Sequence, residues 1–350
     1  MIERICHIGP ALNVQGGISS VLVSYKKLFN LSDEHFLSSY NGSFFKSLPR
    51  LFFVCLKLLF GSHKRFEFYQ IHTASYGSFF RKYLISLCLR IRHKPYTVHV
   101  HGSFFDQFSI KSPKIIQCLI RSYCGHSVSV ICITEDMKIF LESFLNRPAS
   151  FAVIPNPSIS IKEKPKDLNN DSDLVKVIFS GRYGKRKGVF DLIEAFNKAH
   201  FNYPVELHLY GDGEEEKLKT IVKSSPKEKM IKVNSWINYS EYLERLMSYD
   251  LLVLPSYAET FGMSLVEAMG FGIPVISTQV GGISYVVENN VCGVLIKPGD
   301  IPALTSSLEK LINDKGLRIK MGYDAWKHVS THFTKNIILD KIEELYITLS

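Results

Sequence analysis

The chain has 350 residues, 46% hydrophobic and 21% charged, which suits two globular domains with sizeable cores. No stretch nears the roughly 20 apolar residues that span a bilayer, and seven cysteines without a Cys-x-x-Cys pair read as reduced core residues, which gives a disulfide framework or zinc site little weight. The net charge of +9 lies wholly in the first part: residues 1–150 hold 18 Lys+Arg against 8 Asp+Glu, and residues 151–350 hold 24 against 25.

Short apolar runs alternate with helical patterns from the start. Ile5 to Ile8 reads as a strand and Ile18 to Phe29 as a helix, with Gly16-Gly17 in the turn before it. An N-terminus that begins with a strand and lacks a signal-peptide pattern predicts a cytoplasmic protein, at most peripheral on the inner face of the membrane. From Lys46 to Lys94 there are ten basic residues and one acid, Glu67, interleaved with aromatics such as Phe52, Phe53, Phe60 and Phe80. That mixture fits an anionic membrane surface, a nucleic-acid surface or a solvated rim over core aromatics. Nucleic acid ranks last because no RNP motif, finger spacing or helix-turn-helix pattern is present, and docking of patch 46–94 on anionic lipid heads is the partner expected.

Thr97 to Val100 and Val128 to Ile133 continue the strands, followed by helices at Ile115 to Tyr123 and Asp136 to Leu145. In Val98-His99-Val100-His101-Gly102, His99 and His101 are expected on opposite sides of the strand, which argues against a metal site built on that pair. Pro155-Asn-Pro157 and the polar run Lys162 to Asp173 mark a linker. A second series follows at Val175 to Phe179, Val205 to Tyr210, Ile231 to Val233, Leu251 to Leu254 and Pro274 to Ser277, and the tail from Tyr323 is helical in pattern. The predicted class is α/β: two doubly wound parallel-sheet, Rossmann-like domains, 1–155 and 174–322, joined by a linker at 156–173. Ligand is expected in a cleft where the carboxyl ends of the two sheets face each other.

Two turns carry chemistry. After Phe179 comes Gly181-Arg182-Tyr-Gly-Lys185-Arg186-Lys187-Gly188, where Arg182 and Lys187 suit a diphosphate clamp and the glycines allow close backbone approach. After Leu254 comes Glu259-Thr-Phe-Gly-Met-Ser-Leu-Val-Glu267, with Thr260 read as the cap of a helix running to Met269. On that reading the two carboxylates stand about two helical turns apart and address one ligand. The amides of Phe261, Gly262, Met263 and Ser264 are expected to point outward as anion donors. The plainer alternatives are a capping or solvated Glu pair and a solvated basic turn.

These turns, together with Tyr210-Gly-Asp-Gly213, Gly272-Ile-Pro274-Val-Ile276 and Gly281-Gly282, resemble glycosyltransferase family 4, the retaining GT-B transferases also described as glycosyl transferases group 1. The match is dense from about Val175 to Lys297 and thinner in the first half, at Gly16-Gly17 and His101-Gly102. The resemblance implies a GT-B fold whose last segment, 323–350, crosses back to the N-terminal domain. It implies a catalytic role for Glu259, which would accept hydrogen bonds from the transferred sugar, and for His101 beside that sugar, with a core histidine as the alternative. Gly16, Gly17, Arg182, Lys187, Phe261, Gly262, Met263, Ser264 and Glu267 would bind substrate, Glu267 through the ribose hydroxyls. The partner implied is a nucleotide-diphosphate sugar, a UDP-sugar favoured; the acceptor expected, a growing surface polysaccharide or lipid-linked glycan, is read from the basic aromatic patch alone. No Asp-x-Asp triplet stands at a strand end, and the cations at 182 and 187 take a metal's part, so neither metal nor cofactor is expected. A sugar-nucleotide epimerase of the same fold and a non-catalytic nucleotide-sugar-binding protein are the competing readings.

Overall fold

A computed structural model of the chain describes all residues except 15, 62–65, 103, 146–149, 159–160, 162–164 and 166–172, and at 44–46 the backbone alone. The chain divides into two compact units, Met1–Ile159 with Lys335–Ser350, and Ser160–Thr334. Most of the linker expected at 156–173 lies outside the described residues.

Each unit is built on a six-stranded sheet in which the paired strands run parallel. The first sheet contains β1 (Ile5–Gly9), β2 (Phe36–Ser38), β3 (Phe68–Thr73), β4 (Tyr96–Val100), β5 (Ser129–Cys132) and β6 (Phe151–Val153), in the order β2-β1-β3-β4-β5-β6. The second contains β7 (Val175–Ser180), β8 (Val205–Gly211), β9 (Ile231–Ser235), β10 (Leu251–Leu254), β11 (Val275–Thr278) and β12 (Gly293–Ile296), in the order β12-β11-β10-β7-β8-β9. Helices in the crossovers cover both faces, so β1, β3, β4, β5, β10 and β11 are buried at every residue. In β10 the sequence is accordingly a continuous apolar run, whereas β1, β3 and β4 carry the buried polar residues His7, Gln70, His72, Thr97 and His99 among their apolar ones.

Strand order locates the ligand-binding end of the second unit. The chain winds outward from β7 through β8 to β9, then crosses to the other side of β7 and winds outward again through β10, β11 and β12. The turns after β7 and β10 therefore leave their strands in opposite directions, which opens a crevice at those carboxyl ends.

The helical tail departs from expectation. A helix at Lys315–His332 buries Met321, Ala325 and Val329 and belongs to the second unit; the return to the first begins at Lys335, not at Tyr323. The next helix, Lys335–Thr348, buries Ile338, Ile342 and Tyr346, and the Tyr346 hydroxyl bonds Thr97 Oγ1 at 2.8 Å and Gln70 Oε1 at 3.2 Å. A polar anchor inside an apolar interface fixes the register of that helix on β3 and β4.

Gly188 shows how tightly the two crevice turns abut. Its φ is +70°, and a Cβ there would lie 2.0 Å from the Pro255 carbonyl oxygen on the turn after β10. Both the left-handed backbone and the main-chain clash penalise a side chain, so Gly188→Ala is expected to cost about 2–4 kcal/mol. Thermal melting checks this: a clear fall in Tm is expected, and an unchanged Tm would mean the turns are not in contact.

Candidate active site

At the carboxyl end of the second sheet the turns are held to one another by main-chain bonds. Tyr257 N–H donates to the Arg186 carbonyl at 2.8 Å, Gly282 N–H to the Thr260 carbonyl at 2.9 Å, and Glu214 N–H to the Tyr183 carbonyl at 3.1 Å. Gly281, with φ +53°, lets the turn after β11 come so near that a Cβ would sit 1.8 Å from the Glu259 carbonyl oxygen. The turns after β7, β8, β10 and β11 thus form one rigid rim.

On that rim Lys187 Nζ and the Glu259 carboxylate form an ion pair, each side chain 15% exposed. Thr260 N–H donates to Glu259 Oε1 at 3.1 Å. Burial by itself would raise the pKa of Glu259, but the charge and hydrogen bond of Lys187, then the Thr260 amide and Arg186, together hold it below the ordinary 4.5. Glu259 is therefore an ionised, acceptor-only group at neutral pH. Arg182 is exposed and pairs with no described residue, its stem lying along Gly213.

The helix expected from Thr260 begins later, at Met263, and runs to Gly270 with Gly262 at the N-cap in the left-handed region, φ +77°. Thr260 cannot cap it, because residues 259–262 turn instead of coiling and the Thr260 carbonyl accepts from Gly282. The Phe261 ring packs into the core against Phe333 and Tyr285, with centroids 5.5 and 6.4 Å away, so only its backbone remains for a ligand. The amides of Phe261, Gly262, Met263 and Ser264 donate to no described residue, as at an uncapped helix N-terminus.

Glu267 lies in a different environment. It is buried within that helix, and Tyr239 Oη donates to its Oε1 at 2.8 Å. Asn238 caps the helix Tyr239–Leu246 and so sets the direction of Tyr239. Burial pushes the Glu267 carboxyl up from 4.5 to about 8 against the pull of the Tyr239 bond, so at neutral pH it is largely protonated. The two carboxylates share no partner: one is tied to the turn after β7, the other to the helix after β9. The expected spacing of about two helical turns does not apply, since it counted residues 259–262 as helix.

Gly16, Gly17 and His101 belong to the first unit. Gly16, φ +151°, stands at the N-cap of the helix Gly17–Leu28, and a Cβ at either glycine would meet nothing within 4 Å. His101 follows β4 and is buried. Its Nε2 bonds His72 Nδ1 at 2.9 Å, and His72 Nε2 bonds His7 Nδ1 at 3.2 Å, a chain of imidazoles crossing β4, β3 and β1. Burial lowers His7 and His101 to about 3, and His72 and His99 well below 6.5, so all four rings are neutral.

The expectation for His99 and His101 is corrected here. Residues two apart on a strand share a face, and the two rings lie with centroids 4.0 Å apart. With His72 they offer three nitrogens within 4.8 Å of one another, a spacing that a metal could use. Those rings are already engaged, His72 with His101 and His99 Nδ1 with Gln70 Nε2 at 2.8 Å.

Of the sequence-read residues, the structure brings Lys187, Glu259 and the 261–264 amides to one rim, with Arg182 on the turn after β7 and Glu267 set below. Tyr239 was missed, as was His72; a tyrosine opening an Asn-capped helix carries no chemical signature until its partner is known. Since the folded pKa of Glu267 exceeds its unfolded value, its contribution is intact below about pH 4.5 and is lost as pH rises toward 8. Glu267→Gln should therefore match the parent near pH 4.5 and exceed it by up to a few kcal/mol at pH 8 and above. Denaturant melts of both forms across that range test this, and parallel pH profiles would refute the protonated carboxyl.

The sequence profile of the family described as glycosyl transferases group 1 matches residues 160–328, nearly the whole second unit. The chain is 30% identical over 194 residues to the capsular polysaccharide biosynthesis glycosyltransferase CapM of Staphylococcus aureus, covering 54% of this chain and 49% of that one. It is 26% identical over 306 residues to the Escherichia coli UDP-Gal:alpha-D-GlcNAc-diphosphoundecaprenol alpha-1,3-galactosyltransferase, covering 82% and 76%. The matched part spans about half the length of the first curated relatives. In fold it is similar to the sucrose-phosphate synthase of Thermosynechococcus elongatus, with TM-score 0.78 at 16% identity over 99% of both chains. The second unit is therefore matched, at residues 160–328, as a domain of glycosyl transferases group 1, and with two parallel six-stranded sheets the chain has the GT-B fold.

Proposed function

We propose that this chain is a retaining glycosyltransferase that moves a hexose or N-acetylhexosamine from a UDP-sugar to a growing surface polysaccharide or lipid-linked glycan. The observation that carries the reading is the Lys187–Glu259 pair at the β7/β10 crevice, beside the exposed Arg182 and the free amides of 261–264. A diphosphate needs positive charge and N–H donors, and this rim supplies both. Phosphate oxygens would draw Lys187 from Glu259, and the freed carboxylate would accept hydrogen bonds from hydroxyls of the sugar.

In transfer with retention, the bond from the anomeric carbon to the diphosphate oxygen breaks as the acceptor oxygen bonds to that carbon from the same face, and the acceptor's hydroxyl proton passes to the leaving diphosphate oxygen. Arg182 and Lys187 neutralise the charge that grows on the leaving group, so their effect is largest in the transition state. Glu267, paired with Tyr239, would receive the ribose hydroxyls. His101, neutral and held by His72, would orient the sugar from the first unit. With cations and amides on the diphosphate we propose metal-independent chemistry. A lipid-borne acceptor agrees with the relatives' names, which specify capsular polysaccharide biosynthesis and a diphosphoundecaprenol-linked substrate, and with such an acceptor the chain would work at the membrane surface.

Stabilisation of the chain against a panel of nucleotide sugars would identify the donor, and no stabilisation by any UDP-sugar would count against the donor class. Lys187→Ala and Glu259→Ala should each lower turnover about a hundredfold or more while Glu267→Ala mainly weakens donor binding; near-normal turnover in both of the first two would sink the site. Turnover should survive chelation, and its loss with recovery on adding magnesium or manganese would overturn metal independence.

A further inference from the structure

The helix Phe44–Phe60 is apolar on two sides. Leu51, Val54 and Leu58 are buried in the first unit's core, as an ordinary amphipathic helix requires. The other side is not polar: Phe52 and Phe53 are each 66% exposed, Phe60 81%, Leu48 49% and Leu56 37%. At 3.6 residues per turn these five fall within an arc of about 140° facing away from the buried three. Arg50 and Lys57 lie together at one edge of that arc, both exposed.

The helix Gly77–Ile91, packed beside it, extends the surface with Phe80, Leu84 and Ile91, exposed by 41, 48 and 67%, and Arg92 follows, also exposed. Neither helix contains an Asp or Glu. An apolar patch of this extent is uncommon on a soluble monomer. Other members of the basic aromatic run have ordinary roles: Phe66, Phe68 and Phe79 are core residues, and Lys82 is buried with its ammonium on Ser39 Oγ. Lys46, Lys64 and Arg65 are outside the residues whose side chains are described.

We infer that the outer face of the 44–60 and 77–91 helices is a docking surface for an anionic lipid bilayer, with Phe52, Phe53 and Phe60 entering the acyl boundary and Arg50, Lys57 and Arg92 on the head groups. Charge selects this occupant: apolar side chains fringed by cations without an acid match the boundary between acyl chains and anionic heads. No described helix is long and apolar enough to cross a membrane.

The inference rests on the proposed lipid-borne acceptor for its purpose alone. Its test uses neither donor nor acceptor, so failure to bind lipid and failure to transfer sugar are separate results. The chain is sedimented with vesicles of phosphatidylcholine alone or mixed with phosphatidylglycerol. Binding to the anionic vesicles should exceed binding to the neutral ones by about tenfold, and Phe52→Ser/Phe53→Ser/Phe60→Ser should lower it by about tenfold or more. Arg50→Gln/Lys57→Gln should weaken anionic binding severalfold and flatten its salt dependence. Should the triple variant lose its fold by circular dichroism, the charge variant decides. Equal binding by parent and charge variant overturns the inference. So does absence of binding, or self-association of the parent that the face variant abolishes without any vesicle binding, which would mark the face as a contact between copies.

Discussion

The ion pair between Lys187 and Glu259 is the constraint around which the second unit's crevice is arranged. It closes a circuit of main-chain contacts: Tyr257 on Arg186, Gly188 against Pro255, Gly281 against Glu259, Gly282 on Thr260. The first two contacts set the distance between the turns after β7 and β10, and the last two set that between the turns after β10 and β11. An isolated exposed pair of this kind would contribute about 1 kcal/mol or less. Here its members are mostly buried and held by backbone on both sides, so little side-chain entropy remains to be lost. The backbone of the rim therefore holds both charges at the site before a donor arrives, and under the proposed function Lys187 exchanges carboxylate for phosphate on binding, ahead of the charge that grows in the transition state.

The contrast between Glu259 and Glu267 follows from what each carboxyl finds when it is buried. Glu259 meets an ammonium and an amide and stays ionised; Glu267 meets one phenol and takes up a proton. One group is an acceptor only, while the other can donate as well. Under the proposed function this suits two kinds of hydroxyl recognition.

Much of the fold was legible because a parallel sheet covered on both faces writes itself as short apolar runs, and Leu251 to Leu254 or Val175 to Phe179 leave few other assignments. The strands that escaped were β2 and β6, three residues each at the sheet edges, β12, and β3, whose Phe68–Thr73 run lies inside the basic aromatic stretch and is broken by Gln70 and His72. The helix start was misplaced because Thr260 satisfies the capping rule while Gly262, in a left-handed conformation, fills the position. The imidazole chain was hidden by assigning His99 and His101 to opposite faces, although a period of two puts them on one. Pairings such as Tyr239 with Glu267, 28 residues apart, or His7 with His72, 65 apart, depend on strand order, which no local pattern states.

The neutral imidazole chain bears on how a first-unit residue could take part in the proposed reaction. A single buried histidine is free to choose its tautomer, but His101 Nε2 and His72 Nδ1 face one another, so one of these nitrogens must carry a proton and the other must not. His72 Nε2 meets His7 Nδ1 under the same rule, and the choice at one ring propagates to the next. Burial keeps every ring uncharged, so the chain fixes His101 as an oriented dipole and not a cation. An oriented dipole can hold a hydroxyl without repelling the positive charge that builds at an anomeric carbon, which an imidazolium would do. The same low dielectric that disfavours charge on these rings strengthens the bonds between them, and under the proposed function His72 would act only through the orientation it gives His101.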